Sequence, residues 1–313
     1  MKRSTVGLVI VLAVCLGTRV VGLKPSGHRS VTEAVARSSD AKFSRRALQI
    51  IAAGAKAADK TDWENPAAHA QTRNEERTGL PNQSSEEAMD DFRGQMQRQI
   101  AFVDSAMRGG NYDEALFRLG YIFHGVQDLA SHRGITNAYH RQLTRQGQDP
   151  DQSQAALAQA QRWTKQMMQA LRGRYGDLLD EVAAYDGDGP SAEEQEIAAF
   201  SDADAVRTAQ GLATYRFAPK SKERNEFARN WGTLAALAPL VDELAAFIGR
   251  PQGIMSKRRL EIQMKEACSA CLSGCSQIKN DDLYSSQRRK CNNSCPCSEW
   301  ILYGTGSKEY PKK

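Results

Sequence analysis

Histidine is scarce in this chain, with five residues among 313. Aromatic residues make up 7% of the sequence, a low share that favours helices over sheets. No segment sustains the period-two alternation of a half-buried strand, so no sheet is expected. No internal repeat of solenoid length is present. The one long apolar run, Val6–Gly17, is too short to span a bilayer. Charge of one sign is also lacking, since the formal net charge is only +5. Removing an N-terminal leader would take Lys2, Arg3 and Arg19 from the 42 basic residues and bring them close to the 37 acidic ones. That balance does not argue for a nucleic-acid or anionic-membrane partner.

An apolar content of 41% is enough to bury a core, and Ala, Gln, Glu and Arg are abundant helix formers. The expected fold class is all-α. Met1–Gly22 reads as a secretory signal peptide, with a basic start at Lys2 and Arg3. Val20 and Gly22 suit cleavage after Gly22, and Gly17 is an alternative. Val14 precedes Cys15 where a lipobox has a small residue, which argues against a lipid anchor. The expected destination is secreted or periplasmic, and the mature chain should have no transmembrane segment.

Apolar spacing predicts one amphipathic helix or two over Ser30–Ala58. Asn65-Pro66 marks a turn. Ser84 with Glu87 forms a capping box that opens a helix over Ser85–Arg108. Gly109-Gly110-Asn111 is the next turn, and Tyr112–Ser131 the next helix. Long helices are expected at Ser153–Ala184, Ala192–Leu212 and Ser221–Ile248. Ser191 with Glu194 caps the second of these, and Pro239 should kink or interrupt the third. Gly249–Gly253 looks like a domain boundary, so residues 23–250 form the main helical domain.

Six cysteines follow at Cys268, Cys271, Cys275, Cys291, Cys295 and Cys297. A spacing of x3 puts two cysteines on one helix face. A module over residues 254–300 is therefore expected to be a helical hairpin laced by disulfides, nested as Cys271–Cys295, Cys275–Cys291 and Cys268–Cys297. A zinc knuckle is the competing reading, and export to an oxidising compartment favours disulfides. They would staple a module too small to hold itself by burial. Residues 301–313 read as a polar tail.

Three of the five histidines lie between Gly120 and His140. His124, Asp128 and His132 are spaced i, i+4 and i+8. Each step of four drifts about 40° around a helix axis, so the three form one stripe. Imidazole and carboxylate suit zinc and other borderline divalent metals. Gly134 then breaks the helix, Thr136 can cap a new one, and His140 falls in its first turn. An ordinary polar helix face is the bland alternative, but so dense a cluster in a chain poor in histidine favours metal binding.

The segment from Arg108 to His140 resembles the zinc-dependent phospholipase C family, whose helical fold is shared with zinc-dependent single-strand nucleases. The matching elements are Gly110-Asn111-Tyr112, Leu119-Gly120, His124-x3-Asp128, His132 and His140. Upstream, Gly27–Thr32 looks like the family's N-terminal ligand His followed by its first helix. Gly54–Asp59 followed by His69 looks like the Asp and His of its first metal site. The resemblance covers roughly residues 27–140. It implies a phospholipase C-like helical domain in which Asp59 or Asp62, His69, His124 and Asp128 share one zinc. His132 and His140 would hold a second ion, and His28, with Asp128 bridging, a third.

Three departures stand out. The gap between Asp128 and His132 is x3, where the family often has x5. Thr144 occupies the position of a usual acidic ligand after His140. No Trp lies near residue 23. The number of zinc ions is accordingly one to three. The resemblance implies a secreted zinc-dependent phosphoester hydrolase, with Asp59 or Asp62 as base as well as ligand and phospholipid favoured over nucleic acid as substrate. A zinc-dependent nuclease is one alternative. A non-catalytic secreted module with a structural metal site is another.

Overall fold

The structure is a computed structural model that describes residues 24–75, 79–210, 231 and 233–251, with isolated positions at 266, 269, 270 and 273. The expected leader at 1–22, the six cysteines from Cys268 to Cys297 and the tail at 301–313 lie outside the described residues.

Among the described residues the fold is helical and contains no strand beyond two isolated bridges, Thr72 with Thr136 and Asn74 with Pro81. The helices are α1 (Pro25–Ser38), α2 (Arg45–Thr61), α3 (Ser85–Gly109), α4 (Tyr112–Ser131) and α5 (Asn137–Arg145). They continue as α6 (Gln154–Tyr175), α7 (Asp177–Ala183), α8 (Ala192–Ala199), α9 (Asp202–Gln210) and α10 (Ala238–Ile248). None of them is long and apolar enough to cross a membrane.

Helix α4 is the hub, packed on α1, α2, α3 and α6. Every residue from Leu119 to Ser131 is buried, as expected of a helix surrounded by others rather than lying on a surface. Its crossing with α2 is made backbone to backbone. A Cβ on Gly54 would fall 1.9 Å from the Phe117 carbonyl oxygen, and one on Gly120 would fall 2.0 Å from that of Ile51. Glycine at both positions lets the two axes approach far closer than larger side chains allow. The alanines around Gly54 extend the close contact, and α2 thereby delivers its last turn to the polar end of α4.

Local sequence signals account for most helix ends. The capping boxes at Ser84/Glu87 and Ser191/Glu194 both form. Asn111 caps α4, and Thr136 caps α5 by accepting from the Tyr139 amide. The segment 30–58 belongs to two helices, and the first starts earlier than expected. Pro25 sits in its opening turn, where its fixed φ and missing N–H are tolerated. His28 is therefore inside α1 rather than ahead of it.

Two of the long helices expected downstream are each divided in two. Residues 153–184 break at Gly176, whose φ of +52° ends α6 and starts α7. Residues 192–210 break at Phe200-Ser201. The Ser201 hydroxyl accepts from the Asp204 amide, and the Asp204 carboxylate accepts from the Ser201 amide, so a fresh cap opens α9. Of the third, residues 221–230 lie outside the described residues; among those described from 231 onward, helix starts at Ala238, and Pro239 sits in its opening turn rather than kinking it. Trp231 lies outside any helix, with φ +50°. The C-terminal end of α10 is anchored by buried Arg174 of α6. Its guanidinium pairs with Asp104 of α3 and donates to the carbonyls of Phe247 and Ile248.

Candidate metal centre

Five histidines and three aspartates converge at one end of α4. α1 supplies His28, the last full turn of α2 supplies Asp59, and a 3-10 turn at Pro66–His69 supplies His69. Asn65 opens that turn by accepting from the Ala67 amide at 3.2 Å. α4 supplies His124 and Asp128, with His132 as its C-terminal cap. His140 comes from α5. The eighth residue, Asp151, lies in a second 3-10 turn at Pro150–Gln152, opened by Asp149.

Asp128 is the centre of the cluster and is fully buried. Its Oδ2 lies 2.9 Å from His69 Nδ1, 2.9 Å from His124 Nε2 and 3.5 Å from His132 Nδ1. Its Oδ1 lies 3.1 Å from His28 Nε2. The two oxygens thus face different imidazoles. Toward the surface, Asp151 places one oxygen 3.1 Å from His132 Nε2 and the other 3.3 Å from His140 Nε2. Three sets of donor atoms have metal-ligand spacing: His28, Asp59 and His124; His69, His124 and Asp128; and His132, His140 and Asp151.

His124 belongs to two of these sets but can serve only one. Its Nδ1 is 2.8 Å from the Ala55 carbonyl oxygen, which can only accept, so Nδ1 carries the proton. Its Nε2 is then the free donor, aimed at His69 and Asp128. The close α2–α4 crossing brings that carbonyl within reach. His132 is held in the same way. Its Nδ1 donates to the His69 carbonyl at 2.8 Å and its Nε2 faces Asp151. Locking one ring nitrogen on a carbonyl to present the other is how metal-binding histidines are oriented.

Several buried donors have no hydrogen-bond partner among the described residues: His28 Nε2, Asp59 Oδ2, His69 Nε2, Asp128 Oδ1 and His140 Nε2. Orphaned buried polar atoms are expensive, and five in one cluster fit a group that accepts lone pairs. The donors are imidazole and carboxylate, a set suited to a borderline divalent cation.

The electrostatics agree. Burial alone would push the Asp128 carboxyl up, but the neighbouring His132, His124 and His28 hold it well below the usual carboxylate range. Burial alone would lower His28, yet Asp128 and Asp59 raise it to about 9. His132 is raised to about 10 by Asp128 and Asp151 against the same burial. For His124 burial prevails and the shift is downward. Asp151 is lowered despite burial, by His140 and His132. Without a cation, protons on imidazoles balance the buried carboxylates.

Asp62 does not join the cluster. It is the C-terminal cap of α2 and accepts a hydrogen bond from the Tyr121 hydroxyl. Three residues beyond Asp59 on the helix, it leaves the inward face as the helix ends. Asp59 is thereby the acidic residue of α2 at the site. The remaining candidates, His28, His69, His124, Asp128, His132 and His140, are brought together. The sequence does not single out Asp151, because the resemblance places the acidic partner of His140 one turn along α5, at Thr144. The structure supplies it from the Asp149-Pro150-Asp151 turn, where the Asp-Pro pair is itself a turn signal.

A cavity of about 360 Å³ opens over the cluster. Asp59, His69, His132, His140 and Asp151 of the cluster line it, and so do Lys24, Trp63, Arg141 and Arg145. Lys24 is tethered to Asp149 at 3.2 Å. No protein-family model, curated protein or solved structure matches this chain. The chemistry of the site is what bears on function.

Proposed function

We propose that this chain is a zinc-dependent phosphoester hydrolase, phospholipase C-like in its choice of a phosphodiester of lipid type. The observation that carries the reading is the junction of cluster and cavity. Unpartnered donors of Asp59, His69 and His140 lie in residues that also line a cavity large enough for a head group. A structural metal site is closed by protein ligands, whereas a hydrolytic one opens on a substrate space.

The residues that would hold the metal are His69, His124 and Asp128 at the deep end, His132, His140 and Asp151 at the mouth, and His28 on the far oxygen of Asp128. Zinc bound there would supply Lewis acidity, acidifying water and offsetting charge on a phosphoryl oxygen. Asp59 Oδ2, buried and unpartnered, is the atom placed to take a proton from an attacking water. Cationic Lys24, Arg141 and Arg145 among the lining residues favour an anionic substrate, and the same lining includes an aromatic side chain, Trp63. Export through the expected leader would suit an enzyme acting on extracellular or envelope phosphoesters.

The test is metal stoichiometry paired with two assays on the zinc-loaded protein. One uses a chromogenic phosphocholine ester and the other single-stranded DNA. Expected is turnover of the ester, abolished by a chelator and restored by zinc. Cleavage of DNA alone would replace the lipase reading with the nuclease one. Full metal content with neither activity would leave a structural metal and overturn the enzyme.

A further inference from the structure

Gln127 precedes Asp128 on α4, is fully buried, and does not line the cavity. It sits where three helices meet, between His28 and Thr32 of α1 and Thr164 of α6. The direction of every hydrogen bond around it follows from one backbone carbonyl. The Thr164 hydroxyl donates to the Ala160 carbonyl oxygen at 2.7 Å, so toward Gln127 the Thr164 oxygen can only accept. Gln127 Nε2 therefore points there, 3.3 Å from Thr164 Oγ1 and 3.0 Å from Thr32 Oγ1. The amide oxygen is left facing His28 Nδ1 at 2.8 Å. An amide oxygen has no proton to give, so His28 Nδ1 must donate.

We infer that Gln127 is a positioning residue, holding His28 with its proton on Nδ1 and its Nε2 aimed at Asp128 as a metal donor. This rests on the metal-site reading above. The relay runs from the Ala160 carbonyl through Thr164 and Gln127 to the ring. It does for His28 what backbone carbonyls do for His124 and His132. At His28 Nδ1 the partner within hydrogen-bond distance is not a backbone carbonyl but the Gln127 amide oxygen. A side-chain amide from α4 fills the role. Space filling alone would be met by a leucine, which would spare the fold a buried four-residue polar network.

The experiment compares wild type with Gln127→Leu, Gln127→Glu and Thr164→Val. Zinc affinity is read by competition with a chromogenic chelator, and the His28 protonation site by nitrogen-15 NMR of the histidine-labelled, zinc-loaded protein. Expected in the wild type is a proton on His28 Nδ1. Gln127→Leu should weaken one zinc by about 10- to 100-fold, the usual cost of losing such a partner. Gln127→Glu should restore most of it, because a carboxylate also accepts from Nδ1. Thr164→Val, which frees the amide to turn over, should weaken the same ion less than Gln127→Leu. It carries the test if the leucine variant does not fold.

Unchanged affinity in Gln127→Leu, or in Thr164→Val where that variant stands alone, overturns the inference. So does a wild-type proton on Nε2, or a glutamate no better than leucine. A wild type that binds no zinc fails at the control, before any variant, and overturns the metal-site reading together with this one.

Discussion

His28 Nε2 and Asp128 Oδ1 lie 3.1 Å apart, yet neither atom makes a hydrogen bond among the described residues. Two lone-pair-bearing atoms this close in a buried site repel each other unless a proton or a cation lies between them. Asp128 lies at the middle of the cluster, with four imidazoles within 3.5 Å of its two oxygens.

That centrality sets the order of two substitutions. Replacing His124 with Ala removes one imidazole and leaves a space that water can fill. Replacing Asp128 with Ala removes a ligand shared by several donors, and with it the charge that lets cations sit close together in a low-dielectric interior. Asp128→Ala is expected to lower zinc per chain more than His124→Ala. Asp128→Asn should be nearly as harmful, because it keeps the shape without the charge. All three should stay helical by circular dichroism. Elemental analysis after dialysis measures the metal, and wild-type content in all three would mean that the cluster is not a metal site.

Asp151 separates the mouth of the site from its deep end. It touches His132 and His140 but is in neither of the donor sets that contain His124. Asp151→Asn should therefore remove about one zinc per chain and leave the tighter, deeper binding intact. Calorimetric titration of zinc into the metal-free variant should show the loss of one binding phase. Loss of all binding would mean that the two ends are one cooperative site.

Much of this was legible in the residues themselves. The i, i+4, i+8 stripe of His124, Asp128 and His132 fixes three donors on one helix, and the two capping boxes mark helix starts. What spacing along the chain cannot give is which residue arrives from elsewhere. Asp59 and Asp62 differ by one helical turn, and only the α2–α4 crossing decides that Asp59 faces inward. Asp151 comes from a loop after α5, so no helical repeat points to it. The breaks at Gly176 and at Ser201 were hidden because Ala- and Glu-rich sequence around them has strong helix propensity. A single left-handed glycine and a local cap override it.

Gly120 tests the crossing. A methyl group there would fall 2.0 Å from the Ile51 carbonyl oxygen, and that backbone oxygen cannot swing aside as a side-chain end does. The helices must separate, loosening the core and withdrawing Ala55 from His124. Gly120→Ala is expected to cost about 3 kcal/mol, at the upper end for overpacking. That corresponds to a fall in the thermal midpoint of roughly 6–12 °C for a domain of this size. Gly94→Ala is the control, since its nearest neighbour is the flexible end of Arg98. Equal melting of the two variants would mean that the close crossing is not required.

The attachment of α8 gives a pH dependence away from the metal ligands. Arg46 of α2 is nearly buried and donates to both oxygens of Glu194, at 3.1 and 2.8 Å. Burial pushes the Glu194 carboxyl up, but the hydrogen bonds from Arg46 and from the Ser191 amide outweigh it and lower it from its ordinary 4.5. A carboxylate lowered in the folded state stabilises it fully above the unfolded value, and that contribution fades as pH falls through the lower, folded value. Glu194→Gln should therefore destabilise the protein by about 1–2 kcal/mol at pH 7, the scale of a charge-assisted, partly buried pair. The gap between variant and wild type should narrow steadily once the pH is taken below 4.5. Urea unfolding of both proteins across that range measures it. A gap that stays constant down to acid pH would mean that Arg46 holds α8 through packing of its stem and not through the Glu194 charge.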